Sequence, residues 1–135
     1  MSGLAFHMVI WIDHQSAKLY TFTAGGLSAI AVEQSGSAER HIHHKAGTTG
    51  SGHAGLDRSF LEEIVRGIGD AREILIVGPA QAKQGLMKYL RQHSPAMAAR
   101  VVGVEAMGQA SPEEIHALAR RFFRATDRMI PPAAR

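Results

Sequence analysis

The 135-residue sequence contains no cysteine, a single tryptophan and no long apolar run. Without cysteine, the chain cannot form disulfide bonds, ligate zinc through sulfur or use a thiol in catalysis. The apolar stretch near the N-terminus is short, is interrupted by His7 and Asp13, and has no basic leader before it. We therefore expect neither a signal peptide nor a membrane-spanning segment, and we predict a cytoplasmic protein.

The length and composition indicate a globular domain. Hydrophobic residues make up 45% of the chain and charged residues 20%, which is typical of folded proteins. The tail contains two arginines and two adjacent prolines. We predict a single domain over residues 1–124, followed by a flexible basic tail over residues 125–135.

The chain has a moderate excess of positive charge. Its formal net charge is +3 and its pI is about 9.7. The arginines that supply much of this excess toward the C-terminus are Arg100, Arg120, Arg121, Arg124, Arg128 and Arg135. Such a balance favours RNA or another polyanion as a partner, although many basic domains bind neither.

The first part of the chain has the pattern of an antiparallel sheet. Residues 7–13 are β-branched and aromatic, residues 16–23 alternate, and residues 27–33 form a third strand-like stretch. The polar residues between the first two stretches predict a tight turn, in which the Asp13 carboxylate accepts backbone hydrogen bonds. Together these stretches predict a three-stranded meander.

The remainder of the chain alternates between helices and strands. An apolar stripe predicts a helix from Asp57, and continuous apolar runs at residues 73–78 and 101–106 predict buried strands. Another helix is predicted over residues 79–92, with proline at its first position, and a last helix follows a capping box at Ser111. The order β-β-β-α-β-α-β-α predicts an α/β fold of ribonuclease-H-like architecture, with helices packed on a mixed sheet.

A segment rich in histidine and glycine, "RHIHHKAGTTGSGHAGLDRSF" (residues 40–60), separates the meander from the first helix. Glycine lets backbone N–H groups approach phosphate oxygens, and the N-terminus of the helix adds partial positive charge. The side chains in position to contact phosphates or bases are Arg40, His43, His44 and Lys45. This pattern favours a nucleic-acid or phosphate interface, while Asp57 at the helix start opposes an anion there.

The same histidines leave two other interpretations open. On a strand, His41 and His43 would project from one face, and with His53 they could ligate a metal ion. The loop offers no nearby carboxylate to complete such a site. In the other interpretation this is a solvated polar loop whose histidines form only local hydrogen bonds.

The rest of the chain offers weaker signals. Asp13 and Glu105 end two predicted strands, but two scattered carboxylates do not make the two-metal site of a nuclease. The sequence has no P-loop signature and no nucleophile elbow, although Lys83 could contact an anion at the start of its helix. Arg120 and Arg121 lie either on the solvent face of the last helix or in an electrostatic patch.

Four segments taken in order resemble the middle domain of archaeal and eukaryotic peptide-release factors and of the Pelota ribosome-rescue family. These segments are "VIWIDHQSAKLYTF", "HHKAGTTGSGHAG", "ILIVGPAQAKQGLMKYL" and "RVVGVEAMGQASPEEIHALARRFF". Their order extends the resemblance over nearly the whole chain, residues 7–124. The chain is similar in particular to small bacterial stand-alone relatives, often described as translational machinery or release-factor-like proteins.

The resemblance implies the fold and an association with the ribosome or tRNA. Release factors carry Gly-Gly-Gln in this loop, and because it is absent here, peptidyl-tRNA hydrolysis does not carry over. We therefore predict a translation-associated protein that is not an enzyme, needs no cofactor, and binds ribosomal RNA or tRNA. The predicted contact residues are Arg40, His43, His44, Lys45, His53, Arg58, Lys83, Arg120, Arg121 and Arg124. The alternatives are a histidine-dependent metal hydrolase or nuclease, and a protein-interaction module that uses an open sheet edge.

Overall fold

The structure, a computed structural model, describes residues 7–23, 26–34 and 56–128. The described chain forms one mixed sheet of five strands together with four helices. The strands are β1 (His7–Ile12), β2 (Ser16–Thr23), β3 (Gly26–Glu33), β4 (Glu73–Gly78) and β5 (Val101–Ala106). The helices are α1 (Arg58–Ile68), α2 (Ala82–His93), α3 (Pro95–Ala98) and α4 (Pro112–Arg128). None of these four helices is both long and apolar enough to cross a bilayer.

The strand order in the sheet is β3-β2-β1-β4-β5. β1 pairs antiparallel with β2, and β2 pairs antiparallel with β3, which confirms the predicted meander. β4 pairs parallel with both β1 and β5. Because β3 therefore also runs parallel to β1, strands β3, β1, β4 and β5 all end at one side of the sheet, which we call the carboxyl edge.

The turn between β1 and β2 lies at the carboxyl edge and is held by Asp13. One oxygen of its carboxylate, Oδ1, accepts hydrogen bonds from the backbone N–H groups of Gln15 and Ser16, at 2.8 and 2.9 Å. The backbone N–H of Asp13 donates to the carbonyl of Ser16 at 3.0 Å. The carboxylate thus closes the hairpin as the sequence predicts.

Two apolar cores cover the two faces of the sheet. On one face, α1 and α2 pack over a cluster that includes Ile10 and Ile76. On the other face, α4 packs over a cluster that includes Val9 and Tyr20, and burial raises the pKa of the Tyr20 phenol above its ordinary value. All six residues of β4 are buried, because helices cover both of its faces. Trp11, also under α4, donates its indole N–H to the carbonyl of Gly108 at 2.9 Å.

The predicted burial of residues 101–106 is wrong. In the structure, β5 is an edge strand whose residues are half-buried or exposed, and Val102 is 37% exposed. Its continuous apolar run resembles that of β4, but β5 has a neighbouring strand on one side only. The apolar run therefore correctly indicates a parallel strand and overstates how much of it is covered.

The predicted start of the second helix is also wrong. α2 begins at Ala82, three residues after Pro79, because the chain first makes a turn with positive φ angles. Gly78 has a φ of 152°, and Ala80, which is not a glycine, has a φ of 53°. The proline therefore belongs to the connection from β4 and not to the first turn of the helix.

The capping box predicted at Ser111 is present at the start of α4. The hydroxyl of Ser111 accepts the backbone N–H of Glu114 at 3.2 Å, and the Glu114 carboxylate accepts the backbone N–H of Ser111 at 2.8 Å. The helix then buries Ile115, Ala119 and Phe123 against the sheet and continues to Arg128. Two otherwise unsatisfied backbone donors at the helix start are paired in this way.

Replacing Ser111 with alanine is expected to lower the free energy of unfolding by about 1 kcal/mol, because the cap for the Glu114 N–H is lost. Urea unfolding followed by circular dichroism measures this change. Ser94 is a matched control, since it occupies the N-cap of α3 without a side-chain capping hydrogen bond. An equal loss in Ser94→Ala would contradict the assignment of the effect to capping.

Candidate nucleic-acid interface

The predicted interface consists of a loop segment and several cations elsewhere in the chain. The residues that lie outside the described part of the structure are Arg40, His43, His44, Lys45 and His53, together with the metal candidate His41. Their roles stay predictions. The described residues do define the surface from which the segment leaves and to which it returns.

Gln34 links the end of β3 to the start of α1 at the carboxyl edge. It follows β3 directly and is only 6% exposed. Its side-chain amide donates to the carbonyl of His14 at 2.7 Å, and its side-chain oxygen accepts the backbone N–H of Asp57 at 2.7 Å. Its own backbone N–H donates to the carbonyl of Gln15 at 2.9 Å. One buried residue therefore joins the end of β3, the turn after β1 and the start of α1.

The start of α1 combines a helix N-terminus with an exposed cation. Arg58 is the first helical residue, its side chain is 72% exposed, and its Nε lies 3.4 Å from the Glu62 carboxylate. An exposed ion pair of this kind contributes little to stability, so Arg58 can exchange it for a phosphate at small cost. Asp57 occupies the N-cap position, but its side chain forms no capping hydrogen bond.

Lys83 lies nearby but is buried. Leu56, just before α1, packs closely against Gly85 of α2, where an added Cβ would lie 2.9 Å from Leu56 Cδ1. This contact places the start of α1 beside the first turns of α2. Lys83 is 6% exposed, and its ammonium group donates to the backbone carbonyl of Ala80. In this conformation the lysine supports the turn before α2, and an anion would have to compete with that hydrogen bond.

The remaining predicted cations lie on the other side of the sheet. Arg120 and Arg121 are exposed on α4, and Arg124 belongs to the same helix. α4 packs on the face opposite to α1 and α2. The structure thus places Arg58 and Lys83 on helices of the same face of the sheet and separates both from the arginines of α4. Among the predicted contact residues that the structure describes, those of α1 and α2 therefore do not form one continuous patch with those of α4.

The described residues do not assemble a metal site. Within residues 7–23, 26–34 and 56–128, no group of three or more His, Asp or Glu side chains is placed to hold a metal ion. The Asp13 carboxylate is bound to its own turn, and Glu105 lies on β5. Since β4 separates β1 from β5, the backbones that carry these two carboxylates are two strand spacings apart, about 10 Å.

The sequence itself matches no family profile, and a search of curated proteins finds no significant match. Solved structures with a similar fold do exist. Pelota from Archaeoglobus fulgidus superposes with a TM-score of 0.60 at 18% identity, over 86% of this chain and 31% of Pelota. Dom34 from S. cerevisiae, a translation termination-like factor involved in RNA quality control, gives 0.56 at 9% identity, over 90% of this chain and 34% of Dom34.

The archaeal translation termination factor aRF1 gives a TM-score of 0.54 at 13% identity, over 91% of this chain and 38% of aRF1. The chain therefore spans about a third of the length of these proteins. Nearly the whole of it has the same fold as a region of each of them. The mixed α/β fold is consistent with the middle domain of Pelota, as the sequence resemblance predicts.

Proposed function

We propose that the protein acts in translation and binds ribosomal RNA or tRNA through residues 40–58, without hydrolysing peptidyl-tRNA. A role of this kind implies a location in the cytoplasm. The observation that carries the proposal is that Gln34 and Asp57, which lie on either side of residues 35–56, are hydrogen-bonded to each other at the carboxyl edge, beside Arg58 and the N-terminus of α1. The fold shared with Pelota, Dom34 and aRF1 supports the connection with translation.

The chemistry of the site suits phosphate groups. Backbone N–H groups at a helix N-terminus carry partial positive charge, and Arg58 adds a full charge at the same point. Arg40 and Lys45 bring two further charges into the segment that ends there. Histidines can donate or accept hydrogen bonds and can stack on unpaired bases, which suits a single-stranded or looped RNA.

The absence of Gly-Gly-Gln supports binding without hydrolysis. Residues 35–55 contain no glutamine, so the segment cannot supply that residue to a peptidyl-tRNA ester. The histidines and hydroxyl groups of the segment can contact RNA, but they do not reproduce this motif. We therefore expect no release of peptide from peptidyl-tRNA when the purified protein is added to stalled ribosomes.

A direct test replaces the polar residues of the segment and measures ribosome binding by sedimentation. The variant carries Arg40→Ala, His43→Ala, His44→Ala and Lys45→Ala. We expect its affinity for ribosomes to fall about tenfold or more, because two full charges and two hydrogen-bonding rings are lost. The control carries Lys88→Ala and Arg91→Ala, which remove two exposed charges from α2. Unchanged binding of the loop variant would reject this interface.

A further inference from the structure

Gln34 is one of three buried polar or charged residues in the described chain, with Glu73 and Lys83. Its side chain spans parts of the sequence that are far apart, since His14 precedes it by 20 residues and Asp57 follows it by 23. A buried amide is costly unless both its oxygen and its nitrogen are hydrogen-bonded. Here each forms a bond of 2.7 Å to a backbone group of a different connection.

We infer that Gln34 is the positioning residue for Arg58 and the start of α1, which it fixes to the carboxyl edge by holding the Asp57 N–H and the His14 carbonyl together. The consequence for RNA binding rests on the proposed function, whereas the anchoring does not. Arg58 adjoins Asp57, so the same hydrogen bond fixes the first cation of α1 relative to the β1–β2 turn. Gln34 itself is buried and acts through these neighbours without touching the ligand.

The chemistry of the position requires an amide of this length. Glutamate keeps the acceptor for the Asp57 N–H, but when ionised it has no donor for the His14 carbonyl. Leucine fills a similar volume and offers neither group. Asparagine is one methylene shorter and cannot span both partners at 2.7 Å without moving the backbone. A residue that only filled space here would tolerate leucine with no change at Asp57.

The test measures amide hydrogen exchange in the full chain for Gln34→Leu and Gln34→Glu. We expect the Asp57 amide to exchange about tenfold faster in Gln34→Leu, because it loses its acceptor, while amides of β4 keep their rates. Gln84→Leu, an exposed glutamine on α2, is the matched control and leaves Asp57 unchanged. An unchanged Asp57 rate, or an equal acceleration throughout β4, would overturn the inference.

In Gln34→Glu, a change of pH can remove and restore the hydrogen bond to the His14 carbonyl within one protein. The comparison therefore does not depend on variants that fold differently. When the introduced carboxyl is protonated it regains a donor for the His14 carbonyl, so we expect near-wild-type protection of Asp57 at low pH. At high pH the ionised group faces that carbonyl, and protection falls. The wild type is measured at the same pH values because the ionisable side chains of His14 and Asp57 flank the site. A pH profile identical to that of the wild type would contradict the role of the donor.

Ribosome binding separates this inference from the proposed function. If the wild type binds, Gln34→Leu is expected to bind about threefold more weakly or worse, although every charge is retained. Equal ribosome binding by the wild type and Gln34→Leu would show that Gln34 has no positioning role in ribosome binding. If the wild type does not bind ribosomes at all, the proposed function fails, and the exchange experiment still decides whether Gln34 anchors the start of α1.

Discussion

Replacing Gly78 with alanine is expected to lower the free energy of unfolding by about 3 kcal/mol or more. A Cβ at this position would lie 2.1 Å from the backbone oxygen of Ile12, far inside any allowed contact. That oxygen belongs to the main chain of β1 and cannot rotate away, so β1 and β4 must separate locally. The φ of 152° adds strain, because side chains rarely adopt this conformation.

The change is measured by urea unfolding of the two proteins under identical conditions. Gly108→Ala is the matched control, since an added Cβ there meets nothing within 4 Å, and we expect a change of less than about 0.5 kcal/mol. The carbonyl of Gly78 also accepts the backbone N–H of Met107 at 3.1 Å, so the damage extends toward β5. A loss in Gly78→Ala no larger than that in Gly108→Ala would contradict the close approach of the two strands.

Ribosome affinity is expected to fall steeply as salt is raised at constant magnesium. Neutralising phosphates releases counterions, so the logarithm of the affinity falls linearly with the logarithm of the salt concentration. If Arg40, Lys45 and Arg58 each neutralise one phosphate, the slope is about −2 to −3, and a fourfold rise in salt weakens binding about 20- to 40-fold. The experiment is a series of sedimentation titrations at increasing potassium chloride.

The slope of affinity against salt concentration also shows which charged residues contact the RNA. Arg40→Ala combined with Lys45→Ala leaves one of the three charges, and the slope is then expected to shrink to about −1. The double variant Arg120→Ala and Arg121→Ala is the comparison, because these exposed arginines lie on the helix of the opposite face. A slope reduced by the α4 variant and unaffected by the loop variant would move the interface to α4.

Local patterns in the sequence predict most of the fold. The alternation of residues 16–23, the apolar run of residues 73–78 and the capping box at Ser111 each depend on neighbours within a few positions. The Asp13 turn is predictable for the same reason. The exposure of β5 was not predictable in this way, because it depends on which strand lies at the end of the sheet. The late start of α2 depends on an alanine that adopts a positive φ, which its own sequence does not favour.

The candidate site also combines contacts that local sequence predicts with placements that only the fold determines. The Arg58–Glu62 ion pair is a contact between residues four apart on one helix, so their spacing in the sequence is sufficient to predict it. The separation of Arg58 from Arg120 follows from the connections that place α1 and α4 on opposite faces. The sequence does not identify Gln34 as a buried structural residue, because it begins a polar stretch in which any residue could be solvated. Only the fold brings His14 and Asp57 within reach of its side chain.

The hydrogen bond from Asp57 to Gln34 turns the intervening chain into a tether with both ends at one point. Twenty-three peptide steps separate the two residues. An extended chain advances about 3.3–3.6 Å per residue, so a tether doubled back on itself has a radius of at most about 40 Å. A partner that binds the imidazoles and cations of this tether must therefore lie within that radius of the β1–β2 hairpin, extended by the length of one side chain, and deleting residues from the tether would reduce the radius without changing Gln34.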